Sequence, residues 1–457
     1  MSLYEELRTK YKVFSYDSYK VIMDQGKLVI RYHFTIEGLE EFEPEWCFDP
    51  GNHTYEELMQ NKTFLDMVFS LGMVELVSYW KIACPKTVKV MAGALDETQC
   101  AWWKDLYYHG LGEFFYTNNI PLDPNGFMEI CSYGNEQPGC DSPLNDQSGC
   151  MVPVGGGKDS VVSIELLRSI NDVTKAYIIN PRGATINTTI AGNFSEEDVI
   201  VSKRTLDKRM ITLNSKGFLN GHTPFSAIVA FSATIAAYLH NLKYIVLSNE
   251  ASANESTVLG STVNHQYSKS FKFEKDFHEY EEKYLKTGTY YFSLLRPLSE
   301  FQIARYFAKC TAYHDIFRSC NVGSREDIWC GHCPKCMFVF FILSPFISHE
   351  RLCEIFGTDM VNNPDMIPVM EQLVGVSAEK PFECVGSRDE VNTAICMTIR
   401  RLESEGRELP LLFKHYKSLK QFDEFYNKDN KFFTCYEEEN LLPAKYAELV
   451  KQNCCRA

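Results

Sequence analysis

Between residues 146 and 345 the chain predicts an α/β fold, a parallel sheet with helices on both faces, and three observations carry that expectation. A short apolar run, Met151 to Val154, enters three consecutive glycines, Gly155, Gly156 and Gly157. The apolar period then becomes helical, with Val161, Val162, Ile164, Leu166 and Leu167. Strand, glycine turn and helix follow one another, as in a βαβ unit. The alternation continues with strand patterns at Lys175 to Asn180, Asp198 to Ser202 and Tyr244 to Leu247. Thr223-Pro224 opens a long apolar helix to about His240, with Thr223 as N-cap and Pro224 at the first helical position.

In chain order, residues 1–145 read as a mixed α+β domain with a possible substrate-binding role. Tyr19 to Phe34 alternates as a strand does, and Glu75 to Trp80 reads as buried helix. Trp102 and Trp103 offer a stacking surface for a nucleobase, with burial in a core as the commoner explanation. The turn-rich stretch from Asn135 to Gly149 reads as a linker. After Leu247, the polar loop Ser248 to Glu255 should lie with residues 155–160 beyond the carboxyl ends of the strands, where ligands of such sheets bind. Ser299 caps a helix through Ile303, Ala304 and Phe307. Residues 346–457 read as mainly helical, and the ending Cys454-Cys455-Arg456-Ala457 as a disordered tail.

Composition narrows the function. With 457 residues, 45% apolar and 23% charged, the chain is an ordinary globular protein of two or three domains. No run has the length of a membrane span and no signal peptide is evident, so the expectation is a cytoplasmic protein with no membrane partner. A net charge of −14 argues against a nucleic-acid partner, whose phosphates need a basic face. Seventeen cysteines, an odd number, point to reduced thiols or a metal site rather than a disulfide framework.

Two motifs carry chemistry. A glycine turn at a helix N-terminus gathers backbone N–H groups around a phosphate. To this cradle of Gly155, Gly156 and Gly157, Lys158 adds charge, Ser160 a hydroxyl, and Asp159 a candidate Mg²⁺ ligand. The stretch is not a Walker A loop, because Asp159 follows Lys158 and Val152 stands where that loop starts with Gly. The second motif is Cys320, Cys330, Cys333 and Cys336, spaced Cys-x9-Cys-x2-Cys-x2-Cys. Four thiolates suit a closed structural zinc site; an iron–sulfur cluster and free thiols are the alternatives.

The loop Val154-Gly155-Gly156-Gly157-Lys158-Asp159-Ser160 resembles the pyrophosphate loop of the PP-loop (N-type) ATP pyrophosphatases, with Gly155 in place of the usual first Ser. A Cys-x2-Cys-x2-Cys site after such a domain also occurs in the deazaguanine synthases of queuosine synthesis. Together with Asn220 to Ser226, Ser248 to Ser252, Asn264 to Ser270 and Trp329 to Cys336, the loop is similar to the MurL family. Those enzymes are ATP-dependent epimerases of UDP-N-acetylmuramoyl-L-alanyl-L-glutamate. The resemblance implies ATP, Mg²⁺, AMP and pyrophosphate, and inversion of a terminal L-glutamate through an acyl-adenylate. It does not place the bases. His222, His265 and Lys269 are the candidates, the last two expected on one helical face, with Arg296, Asn249 and Glu250 toward the substrate. Rival readings are a PP-loop enzyme that adds ammonia or sulfur after adenylation, and a non-catalytic zinc-stabilised nucleotide-binding protein.

Overall fold

The computed structural model describes residues 1–143, 147–170, 174–254, 264–377 and 379–455. Among these, eleven strands form one sheet. A long hairpin, β1 (Val13–Asp24) and β2 (Lys27–Ile36), is flanked by β3 (Glu40–Phe42), β4 (Glu45–Phe48), β5 (Thr87–Val90) and β6 (Glu129–Ser132). The other half is β7 (Ser148–Pro153), β8 (Thr174–Ile179), β9 (Val199–Thr205), β10 (Leu242–Leu247) and β11 (Tyr290–Ser293). These last five lie in the order β11-β10-β7-β8-β9, every pair parallel. The chain therefore runs outward from β7 through β8 to β9, then returns to the other side of β7 to build β10 and β11. That reversal is the topological switch point at which open α/β sheets bind ligands.

The two halves meet where β9 pairs antiparallel with β4, Cys47 opposite Lys203 and Trp46 opposite Arg204. Under this seam runs the helix Lys62–Trp80, apolar on nearly every side because sheet and helix cover it on all faces. Its Glu75 is fully buried and accepts from Trp46 Nε1 at 3.1 Å and from Arg204 Nε and Nη2 at 2.9 and 2.6 Å. A bidentate buried pair bridging both strands fixes the register of the joint. Loss of either partner would strand a buried charge, at a cost of about 3–5 kcal/mol.

Beyond residue 345 the chain is largely helical, with Arg388–Ser404 and Ala444–Cys454 among its helices. They share a core with the helices Lys158–Arg168 and Glu300–Phe307. Contrary to the expected disordered tail, Cys454 is buried at the end of its helix and its carbonyl accepts from Arg305 at 2.7 Å; Arg456 and Ala457 lie outside the described residues. Trp102 and Trp103 are core rather than a stacking platform. Their indole N–H groups donate to the Asp276 carbonyl and the Tyr280 hydroxyl, at 3.0 and 3.2 Å. No described helix is long and apolar enough to cross a membrane.

Candidate active site

At the switch point, β7 ends in Pro153 and β10 in Leu247, and both line one cavity of about 420 Å³. The helix Lys158–Arg168 starts there with Gly157 as N-cap, so no side chain satisfies its first N–H groups. Gly156 has φ +82°, and a Cβ on it would sit 2.8 Å from the Ala184 methyl. Only glycine allows that approach. Gly155 faces open space. A second helix, Phe225–Leu239, opens onto the same cavity, also without a side-chain cap. Pro224 is its N-cap, one position later than expected, and the Thr223 hydroxyl instead accepts from Lys81 at 2.6 Å.

The wall carries Arg182, Lys269, Arg318 and Lys335 against the carboxylates Asp159 and Asp327. A cavity with two uncapped helix N-termini and an excess of cations favours a polyanion, although the whole chain is acidic. These residues fit the phosphates of a nucleotide. Asp159 is the cavity-facing carboxylate of the glycine loop and the group that could hold a magnesium ion beside such phosphates.

Lys158 is placed differently from its sequence reading. Its side chain is 2% exposed, and its ammonium is engaged with Asp159 and Glu300. One ammonium between two carboxylates divides them. Burial pushes Glu300 up to about 8 against the pull of Lys158, whereas Asp159, despite burial, is held below the ordinary range by Lys158 and Lys335. Ser160 lines the cavity and donates to the Gly157 carbonyl at 3.0 Å. Asn249 lines it too, with its amide on Ser293 Oγ at 3.1 Å. Glu250 is buried and accepts from Ser252 at 2.8 Å. Arg296 does not reach the cavity. It is fully buried, paired with Glu274 at 2.9 Å, and donates to the backbone carbonyls of Glu250 and Lys269. It therefore positions the loop around Glu250 and Lys269 instead of meeting substrate directly.

His222, His265 and Lys269 come together, in a loop and a single 3₁₀ turn (Tyr267–Lys269) rather than on one helical face. Glu113, from the helix Gly112–Thr117, hydrogen-bonds to His265 and lies 3.4 Å from His222 Nδ1. The two imidazole rings are 4.5 Å apart. On the cavity side, Lys269 Nζ lies 3.2 Å from the Cys384 sulfur, and His265 is a further neighbour of that thiol. Burial pulls the His265 imidazolium down, but the neighbouring Cys384 and Glu113 outweigh it and hold it up at about 9. Burial and the neighbouring His265 push His222 down to about 4, so it is neutral at pH 7. Burial pushes the Cys384 thiol up, but Lys269, His265 and Lys335 bring it down to about 6. The segment carrying Cys384 is tied down on two sides: Lys335 donates to the Cys384 carbonyl, and Phe382 packs on Tyr116 at 5.3 Å.

Cys320, Cys330, Cys333 and Cys336 converge, with sulfurs 3.8 Å (320–333), 3.7 Å (330–336) and 3.5 Å (333–336) apart. A tetrahedral zinc with bonds of ~2.3 Å requires sulfurs about 3.8 Å apart, so the cluster fits one. Cys333 caps the helix Pro334–Leu343 and accepts from Cys336 N at 3.4 Å, while Gly323 N donates to Cys320 at 3.1 Å. Such N–H contacts suit thiolates. Cys320 also lines the cavity, so the cluster braces one of its walls.

The MurL N-terminal domain matches residues 5–294 and the MurL C-terminal domain residues 316–440. A protein of Xanthomonas oryzae is 36% identical over 73% of this chain and 74% of its own length. Relatives from Salinispora tropica and a Micromonospora species are each 32% identical over 89% of this chain, and over 89% and 91% of theirs. The chain belongs to the MurL family. All three relatives carry the name UDP-N-acetyl-alpha-D-muramoyl-L-alanyl-L-glutamate epimerase. No solved structure matches this MurL-family chain.

Sequence reasoning missed two members of the cluster in this MurL-family chain, Glu113 and Cys384. Glu113 is 152 residues from His265, and Cys384 is 115 from Lys269. Neither stands in a spaced motif, and a single cysteine among seventeen gives no signal. The match of the MurL C-terminal domain through residue 440 is the finding that brings the region of Cys384 into the enzyme.

Proposed function

We propose that this chain inverts the terminal L-glutamate of UDP-N-acetylmuramoyl-L-alanyl-L-glutamate to D-glutamate, using ATP and releasing AMP and pyrophosphate. The epimerase assignment follows from the family and the names of its members. The ATP-driven route is supported by one juxtaposition: the glycine loop that suits phosphates and the thiol–ammonium pair of Cys384 and Lys269 open on the same cavity.

The chemistry explains why both are needed. A carboxylate holds its α-proton tightly, because removing it puts a second negative charge beside the first. Adenylation cancels one charge and gives the carbanion an enolate to spread into. Proton removal from one face and return to the other then inverts the carbon, worth roughly 10²–10⁴-fold from each positioned group. Water finally cleaves the adenylate. The N–H groups of Gly155 to Ser160 and the cationic wall would receive the phosphates, and Asp159 would hold Mg²⁺. Cys320, Cys330, Cys333 and Cys336 would hold a structural zinc, and the 1–145 region would bear on the muramoyl nucleotide. A nucleotide-linked cell-wall precursor as substrate supports a cytoplasmic reaction, and the loop reads as that of the PP-loop ATPases.

Purified enzyme with ATP, Mg²⁺ and the L,L-substrate should yield AMP and pyrophosphate, and acid hydrolysis of the product should give D-glutamate. Formation of ADP and phosphate, or an amide product only when ammonia is supplied, would contradict the proposal.

A further inference from the structure

We infer that Cys384 is the side chain that exchanges the glutamate α-proton, held as its thiolate by Lys269 and by the Glu113–His265 pair. The inference rests on the epimerase reading above and supplies its missing base.

The geometry is that of an activated thiol. Cys384 is partly exposed, and the exposure is to the cavity. Its sulfur has an ammonium 3.2 Å away and the His265 imidazole as a second cationic neighbour, and the imidazole is itself backed by the Glu113 carboxylate. The ionisable groups around it are Lys269, His265 and Lys335 on the cationic side, with its neighbour Glu383 and the cavity-facing Asp159 on the other. Depression of the thiol to about 6 agrees with that balance. No other described cysteine faces cations in this way. The remaining thiols whose ionisation clearly departs from the ordinary value are pushed up, apart from Cys333, which sits among its three sulfur partners.

A thiolate suits this step because sulfur is a soft, weakly hydrated base whose proton affinity can be matched to neutral pH. The Cα–H bond breaks, the proton passes to sulfur, and the electron pair moves into the enolate of the adenylated carboxyl. A cavity water protonates the opposite face as the enolate collapses. The hydroxide so formed takes the proton from sulfur and restores the thiolate. Lys269 and His265 act through the sulfur and are positioning residues.

The test uses the full-length enzyme in deuterated water with ATP, Mg²⁺ and the L,L-substrate, and hydroxylamine to trap the activated carboxyl. Cys384→Ser and Cys384→Ala should release pyrophosphate within about threefold of wild type and lose deuterium uptake at the glutamate α-carbon by at least ~10²-fold. Uptake within a few-fold of wild type in both variants would overturn the inference. So would a substrate-acyl adduct on Cys384 in the intact protein mass, which would make the sulfur a nucleophile. A wild-type enzyme that releases no pyrophosphate would remove the epimerase reading, and the inference with it. An independent readout needs no variant at Cys384: iodoacetamide should alkylate it in native wild type at pH 7, with protection by ATP plus substrate. Absence of alkylation at that site would also count against the inference. Lys269→Gln should shift the acid limb of the exchange rate upward by about two pH units, toward an ordinary thiol; an unmoved limb would deny its role.

Discussion

The four-cysteine cluster and the single Cys384 lie close to the same cavity in opposite surroundings. Cys320, Cys330, Cys333 and Cys336 face one another at 3.5–3.8 Å, so their only way to be thiolates together is to share a cation. Cys384 faces Lys269 and His265, so a negative charge on its sulfur would be matched by the protein. What surrounds the sulfur, rather than the residue type, separates a cysteine that holds the fold from one that can do chemistry.

The largest effect should come from breaking the first group. Cys333→Ser should remove bound zinc, about one per chain in the wild type, and lower Tm by about 10 °C or more, because metal binding and folding are coupled in such sites. Elemental analysis with thermal unfolding checks this; iron and sulfide in the wild type would replace zinc with a cluster. The cleft between the two groups comes next. Gly156→Ala forces a side chain into φ +82° with its Cβ 2.8 Å from Ala184. It should weaken pyrophosphate release about tenfold, from roughly 1–2 kcal/mol of strain.

The pH profile sharpens the second group. The thiolate fills as pH rises through about 6, and the His265 imidazolium empties as pH rises through about 9. Deuterium uptake should therefore rise about tenfold per unit up to about pH 6 and then level off, since the thiol stays ionised after His265 loses its proton, and both ionisations belong to the coupled pair. The smallest effect should be on stability at the same site. Cys384→Ser should change unfolding by less than about 1 kcal/mol, since the serine hydroxyl keeps a hydrogen-bonding oxygen beside Lys269. A drop as large as that of Cys333→Ser would erase the distinction between the two groups.

What the sequence revealed follows the same division. The glycine turn and the four-cysteine cluster were legible because their parts are close in the chain and their spacing is the chemistry. The parallel strands β7 to β10 were legible for a like reason, since each is a short apolar run ended by turn residues. Glu113 and Cys384 were not, because only the folded sheet and the helices beyond residue 345 bring them to His265 and Lys269. Burial hid the rest. Lys158 and Arg296 were recognised as charged groups of the right region, but whether a cation faces a ligand or a buried carboxylate depends on Glu300 and Glu274, far away in sequence. Trp102 and Trp103 were legible as buried aromatics, but their partners Asp276 and Tyr280 were not.

The most direct test of the whole account is a single wild-type reaction in deuterated water, with pyrophosphate and α-deuterium measured together. Uptake of deuterium into the glutamate α-carbon only when ATP is present, with pyrophosphate released and D-glutamate formed, is the predicted result. Exchange or inversion that proceeds equally well without ATP would contradict it, since the cavity at the switch point would then have no part in the chemistry.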